Sequence, residues 1–435
     1  MTGRFPRWFA NRTSPADTTT ALAACRGRLL AILKDNIVPF WMDRSVDPDN
    51  GGYRESFGPR GELLEQEHKT LIAQARMLYF WSRLARSPYL PDSREHFREA
   101  AANGYLFLVN RMRDEQRGGF FNKVSVDGTR ATDPSKDTCS QAFALFAIAE
   151  YCRLTQDPES ISLLAEAFET IDAASHDPIH GGYTNIHDRE WTPIVPLNKA
   201  AETHLHLLEA LTAIQRVVRT DLVRDRLAEL LVIQSGTVIS KAGPVQIERF
   251  DAAWRPLPGK DRDRIAYGHN IENIWFIADA CDALGWPFGL AAGFCTGSMR
   301  WCVNAAYDRR NGGFFFSGKI GRRPDNRLKV WWVQAEALVC TLKLFALTSD
   351  RHYVDIFLGT LDFVERHIVD WEHGEWKPIV SANGSAIGKN ASSLRPTENK
   401  GDAWKQAYHN GRAMIECLDL LDRLAGVRDG SGLNA

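Results

Sequence analysis

The chain carries almost no net charge. Its 435 residues include 53 Lys and Arg against 54 Asp and Glu, a formal net charge of -1, so no overall field draws in nucleic acid or an anionic membrane surface. Long apolar runs are missing too. None approaches the roughly 18 to 20 residues of a spanning helix, and residues 1–17 hold charges and Pro6 where a secretory leader has an apolar core. These absences predict a soluble cytoplasmic protein whose partner is a small neutral molecule, with neither nucleic acid nor membrane involved. The eight cysteines (Cys25, Cys139, Cys152, Cys281, Cys295, Cys302, Cys340, Cys417) include no CxxC pair, which reads as buried free thiols rather than a metal centre. Without an export signal, the Asn-x-Ser/Thr triplets at Asn11, Asn383 and Asn390 carry no implication of glycosylation.

What is present is a repeat. A segment from Thr18 to Trp41 has a helical apolar stripe (Leu22, Leu29, Leu30, Leu33, Ile37) and runs into Asp47-Pro-Asp-Asn-Gly51-Gly52-Tyr53, a set of turn formers that suits a tight reversal. Gly118-Gly119-Phe120, Gly181-Gly182-Tyr183 and Gly312-Gly313-Phe314 repeat the device, and Gly374-Glu375-Trp376 is a weaker copy. The first glycines stand at 51, 118, 181, 312 and 374, giving gaps of 67, 63, 131 and 62. The third gap is two periods, and the missing turn belongs near Gly243. Six units of about 65 residues result, each with two apolar helical stretches that cannot bury their faces alone and must stack on their neighbours. The prediction is an all-α (α/α)6 barrel over residues 18–425, with short β-hairpins gathered at one mouth, a flexible start at 1–17 and a flexible tail at 426–435. An open superhelical array is the structural alternative.

Three helical stretches place histidines beside other polar groups. In Tyr267-Gly-His269-Asn-Ile-Glu272, His269 and Glu272 share a face. In Glu202-Thr-His204-Leu-His206-Leu-Leu-Glu209, the residues Glu202, His206 and Glu209 align, while His204 lies about 200° around the helix from His206. In Tyr408-His409-Asn-Gly-Arg412-Ala-Met-Ile-Glu416, His409, Arg412 and Glu416 align. Imidazoles from three repeats could all face one axis, and with pKa values near ~6.5 they suit proton transfer beside a carbonyl. Zinc ligation is the competing use, but no HExxH is present. Arg76, in an otherwise apolar helix, must either pair with a barrel glutamate or bind ligand oxygens. Phe121, Trp254, Trp332 and Trp404 offer ring faces for a sugar.

Four stretches, Thr203-His-Leu-His-Leu-Leu-Glu-Ala210, Tyr267-Gly-His-Asn-Ile-Glu272, Trp331-Trp-Val-Gln-Ala-Glu336 and Trp404-Lys-Gln-Ala-Tyr-His-Asn410, resemble the N-acylglucosamine 2-epimerase superfamily, most of all its cellobiose 2-epimerase branch. The resemblance runs from the Gly51-Gly52-Tyr53 turn to Glu416. It implies the (α/α)6 fold and sugar epimerisation at C2 with no organic cofactor and no metal. It also implies His269 and His409 as acid and base on opposite sides of C2, His206 in ring opening or in holding the sugar, and Arg76 on the enediolate. Glu272, Glu202, Glu336 and the aromatic residues named above would contact sugar. Glu202 stands where the family usually has asparagine, and Cys139 where it has tyrosine, which bears on substrate identity more than on reaction class.

The sequence therefore predicts an isomerase that converts glucose-type to mannose-type reducing ends of a mono- or disaccharide, as a monomer or homodimer. An aldose–ketose isomerase of mannose and fructose shares the chemistry. Glycoside hydrolysis or polysaccharide lysis is a further class that such barrels host, but a hydrolase needs two opposed carboxylates where this chain concentrates imidazoles. A non-catalytic sugar-binding barrel would show binding without turnover.

Overall fold

The computed structural model describes residues 15–194, 196–259, 262–387 and 398–426. Among these, twelve long helices form six pairs: α1 (Pro15–Ala31), α2 (Leu71–Arg86), α3 (Arg94–Phe107), α4 (Thr138–Thr155), α5 (Pro158–Ser175), α6 (Ala201–Gln215), α7 (Asp221–Val232), α8 (Tyr267–Ala283), α9 (Gly289–Ala306), α10 (Trp331–Thr348), α11 (His352–Phe363) and α12 (Tyr408–Leu424). The even-numbered helices pack each on the next and α12 packs back on α2, so they close a ring. The odd-numbered helices lie outside, α3 on α2, α5 on α4 and so on, with α1 covering α12. The architecture is the (α/α)6 barrel, not the open array. The first helix begins at Pro15, inside the stretch read as flexible, and most of that stretch and of the tail lies outside the described residues.

The two rings differ in how their sequences bury. Inner helix α2 buries every residue from Leu71 to Ala85, whereas outer helix α3 buries a stripe of Phe97, Ala100, Ala101, Gly104 and Phe107 at helical spacing. Caps fix where the inner helices start: Thr70 Oγ1 accepts from the Ala73 N–H at 3.3 Å, and Asp137 Oδ1 from that of Ser140 at 2.7 Å.

Six two-residue bridges mark the repeat: Val46 to Tyr53, Arg113 to Phe120, His176 to Tyr183, Ile239 to Gln246, Tyr307 to Phe314 and Val369 to Trp376. The fourth encloses Gly243, where the spacing placed the missing turn. In five of the six, an Asp at the turn pairs with a buried lysine that precedes the next inner helix: Asp47–Lys69 at 2.8 Å, Asp114–Lys136 at 3.1 Å, Asp177–Lys199 at 2.8 Å, Asp308–Lys329 at 3.0 Å and Asp370–Lys400 at 2.7 Å. The fourth has Ser240 in place of the Asp and Ile265 in place of the lysine.

A polar residue on the inner helix then clasps the backbone after the glycines. Gln74 accepts from the Tyr53 N–H and donates to its carbonyl, both at 2.8 Å. Gln141 and Gln334 do the same for Phe120 and Phe314, and His204 Nε2 accepts from Tyr183 N–H at 2.8 Å. The approach is close enough that a Cβ on Gly52, at φ 66°, would fall 2.5 Å from Gln74 Oε1, which is why this turn needs its second glycine.

Short strands precede the inner helices and pair with strands of the following unit, as His68–Thr70 does with Lys123–Ser125 and Arg264–Ala266 with Ser317–Lys319. Phe57 bridges Gly401 to complete the circle. The small sheets therefore ring the N-terminal ends of the inner helices, and that end is the mouth.

Candidate active site

The first turns of the inner helices bring together the three predicted histidines. His409, at the start of α12, sets Nδ1 2.7 Å from Glu336 Oε1 on α10. An ionised carboxylate can only accept, so Nδ1 carries the hydrogen and Nε2 keeps its lone pair. Burial, with the charges of Arg76 and Arg412 adding to it, drives His409 down to about 3 against the pull of Glu336. For Glu336, burial alone would raise the pKa, but Arg412 and the His409 hydrogen bond outweigh it and hold the carboxyl at about 2.

His269, at the start of α8, has the opposite state. Burial would lower its pKa, yet Glu248, 3.2 Å from Nδ1, together with the charges of Glu202 and Glu272, raises it to about 10. The two rings share a neighbour: the Trp332 indole lies 5.1 Å from the His269 ring and 5.6 Å from that of His409. One imidazole is neutral and the other protonated on the same tryptophan.

His206, rather than His204, faces the axis. Its Nδ1 is 3.3 Å from Glu209 Oε2, its ring is 4.4 Å from Phe143, and burial pushes it well below the usual imidazole range. Arg76 is buried without any carboxylate in ion-pair distance among the described residues. Its guanidinium lies 4.4 Å from the Phe143 ring, 5.0 Å from Tyr408 and 5.6 Å from Trp404, donates to the Trp404 carbonyl and leaves Nε unpartnered. Of the two readings for this arginine, pairing with a glutamate is excluded.

Arg412 forms the floor. It donates to Glu209, to Glu272 at 3.0 Å and to Glu336 at 2.7 Å, tying α12 to α6, α8 and α10. Burial and the Glu336 charge raise Glu272 well above the carboxylate range, with Arg412 opposing. Glu272, Glu336 and His409 present ligand atoms within 4.8 Å of one another, which is the geometry a zinc reading needs. The donor set does not fit a metal, because the guanidinium already sits between the carboxylates and the His409 hydrogen occupies the Glu336 oxygen.

Two predicted sugar contacts stand apart. Trp254 packs 4.7 Å from His204 and 5.5 Å from Phe250, with its indole N–H on the His180 and Gly181 carbonyls at 3.1 and 3.2 Å. It caps the third glycine turn. Phe121 lies 4.8 Å from the Lys136 ammonium and 5.5 Å from Arg189, where it covers a turn lysine. Aromaticity in a loop did not distinguish such roles from a sugar platform. Trp404 is 54% exposed at the rim beside Arg76. Glu202 has no hydrogen-bonding partner among the described residues, and its charge acts on His206 and His269. Buried Cys139 sits close enough to feel Arg76 and Glu202.

Glu248 and Tyr408 were missed. Glu248 lies in irregular chain with no helical period, but the repeat held a signal: it follows Gln246 by two, as the buried carboxyl Glu55 follows Tyr53.

A sequence model of N-acylglucosamine 2-epimerase matches residues 51–394. The cellobiose 2-epimerase of Bacteroides fragilis is 29% identical over 396 residues, covering 89% of this chain and 96% of that one, and that of Ruminococcus albus is 28% identical over 398 residues, covering 89% and 96%. The structure of cellobiose 2-epimerase from Spirochaeta thermophila superposes with a TM-score of 0.83 at 29% identity, over 94% of this chain and all of that one (100%). With a closed (α/α)6 ring, converging histidines and this likeness along its length, the chain belongs to the N-acylglucosamine 2-epimerase family and within it is similar to the cellobiose 2-epimerases.

Proposed function

We propose that the protein is a sugar 2-epimerase that interconverts glucose- and mannose-type reducing ends, with a β-1,4-linked disaccharide of the cellobiose kind as substrate. The observation that carries this reading is the convergence of His409 and His269 on Trp332, with the Nδ1 of each on a different carboxylate, Glu336 for His409 and Glu248 for His269. In the ring-opened sugar, Nε2 of His409 takes the C2 proton. The C2–H electron pair becomes the second C1–C2 bond and the carbonyl pair moves onto O1. That oxygen falls to Arg76, which no carboxylate among the described residues pairs with directly, so the enediolate is stabilised electrostatically. His269 then delivers its proton to the other face of C2, which inverts it.

His206 serves ring opening, with Nε2 as the acceptor of the O1 proton. Glu272 and Glu202 are placed to take sugar hydroxyls, Glu336 acts through His409, and Trp404 offers a half-exposed ring to the second sugar. The test is incubation with cellobiose, mannobiose, mannose and glucose in heavy water, followed by NMR. Deuterium at C2 of both epimers supports the reading. Deuterium at C1 of a ketose product assigns aldose–ketose isomerisation instead, and binding with no exchange assigns a sugar-binding barrel.

A further inference from the structure

Behind the histidines, toward the C-terminal ends of the inner helices, lies a cavity of about 70 Å³. Arg153 and Arg216 are in its wall, with side chains 29% and 32% exposed, so it reaches solvent at the end of the barrel opposite the mouth. Its inner wall includes Glu209 and Arg412. Glu209 therefore belongs to both compartments. On the catalytic side its Oε2 is 3.3 Å from His206 Nδ1, and on the axis it accepts from the Tyr408 hydroxyl at 2.5 and 2.6 Å and from Arg412.

We propose that Glu209 is a positioning residue for ring opening, which orients His206 and stays in contact with solvent through the far cavity while saccharide fills the mouth. The inference rests on the sugar 2-epimerase reading, which gives His206 its task. An ionised Glu209 holds the hydrogen of His206 on Nδ1 and leaves the Nε2 lone pair toward the sugar. As the hemiacetal opens, the O1–H proton passes to Nε2 and the O1 pair forms the C1 carbonyl. The C1–O5 pair leaves on O5, which takes a proton back from the same imidazole. In the interval the ring is positive, and the carboxylate balances it.

The groups facing Glu209 are His206 on its own helix, Tyr408 and Arg412 of α12, Glu336 of α10, Glu272 of α8 and Arg76 of α2. Burial raises the carboxyl to about 7 against the pull of Arg412 and Tyr408. Protonated, it can donate to Nδ1 as well as accept and no longer holds the His206 hydrogen there, so the active form is the deprotonated one.

Enzyme-catalysed anomer interconversion of saturating cellobiose requires ring opening but not C2 chemistry, and NMR exchange measures its rate. For the wild type that rate should rise about tenfold from pH 6 to pH 8, as one ionisation near pH 7 dictates. In Glu209→Gln, which keeps an acceptor for Tyr408 and Arg412, it should change less than about twofold with KM little altered. An unchanged wild-type profile in a folded Glu209→Gln protein overturns the inference. Should that variant not fold, Glu209→Asp decides: a roughly tenfold loss of rate at unchanged KM supports the role, and a wild-type rate overturns it. Absence of deuterium at C2 in the wild type would sink the epimerase reading separately.

Discussion

The Glu336 oxygen that receives the His409 Nδ1–H at 2.7 Å also receives Arg412 Nη2 at 2.7 Å. One carboxylate atom thus fixes the tautomer of the His409 ring and is itself neutralised by a guanidinium. That sharing explains how a histidine touching a carboxylate stays unprotonated: the compensating charge is already spent on Arg412.

Glu336→Gln should consequently damage chemistry more than binding. The amide offers both a donor and an acceptor, so His409 loses its fixed tautomer, and kcat for C2 exchange should fall by about 10- to 100-fold with KM nearly unchanged. His409→Ala should abolish exchange while far-UV circular dichroism stays that of the wild type.

His269 depends on Glu248 for its proton. Its folded pKa of about 10 lies above the ~6.5 of a free imidazole, so the pair's contribution to stability is complete below pH ~6.5 and is lost as pH rises toward 10. Activity that needs protonated His269 should fall along the same alkaline limb. Glu248→Gln should move that limb to lower pH. A pH profile of kcat/KM checks it, and an unmoved limb would separate Glu248 from the acid.

Arg76 pairs with no carboxylate among the described residues, so its removal leaves none of them behind as an unpaired buried anion. Arg76→Met should fold normally yet lose roughly 10² to 10³ in kcat, the usual cost of deleting one donor to a developing oxyanion. Arg76→Lys should recover part of it, because a point charge lacks the planar fork. Steady-state kinetics with a thermal melt separates this from loss of fold.

The turn lysines predict stability rather than rate. Lys329 and Asp308 are both buried and 3.0 Å apart. Lys329→Met strands the carboxylate and should cost about 3–5 kcal/mol in urea unfolding, whereas replacing both partners with apolar residues should cost much less. Similar losses in single and double variants would contradict the pairing.

The ring was legible because its signals are periodic. Glycine pairs at regular gaps located even the degenerate fourth turn, and helical spacing chose His206 over His204 correctly. Trp254 and Glu248 were harder for the same reason, since both lie in irregular chain where a side chain's direction depends on the loop's path. Trp254 adopts φ 61°, a left-handed backbone that no apolar pattern encodes and that turns its indole back over the preceding glycines. Arg76 was ambiguous until the neighbouring helices showed that no glutamate reaches it. Charge partners across a barrel come from elements hundreds of residues apart, as Tyr408 and Glu209 do, and sequence proximity says nothing of them.

Among the described residues, the first helix covers the last: α1 packs on α12, and Arg26 pairs with Asp422 at 2.5 Å. During synthesis α1 must therefore leave the ribosome with its apolar stripe uncovered and wait through most of translation for its mate, which also brings His409 and Arg412. No nascent fragment short of that point can join Arg412 to Glu209, Glu272 and Glu336 or His409 to Glu336, so this buried network assembles only as the ring closes.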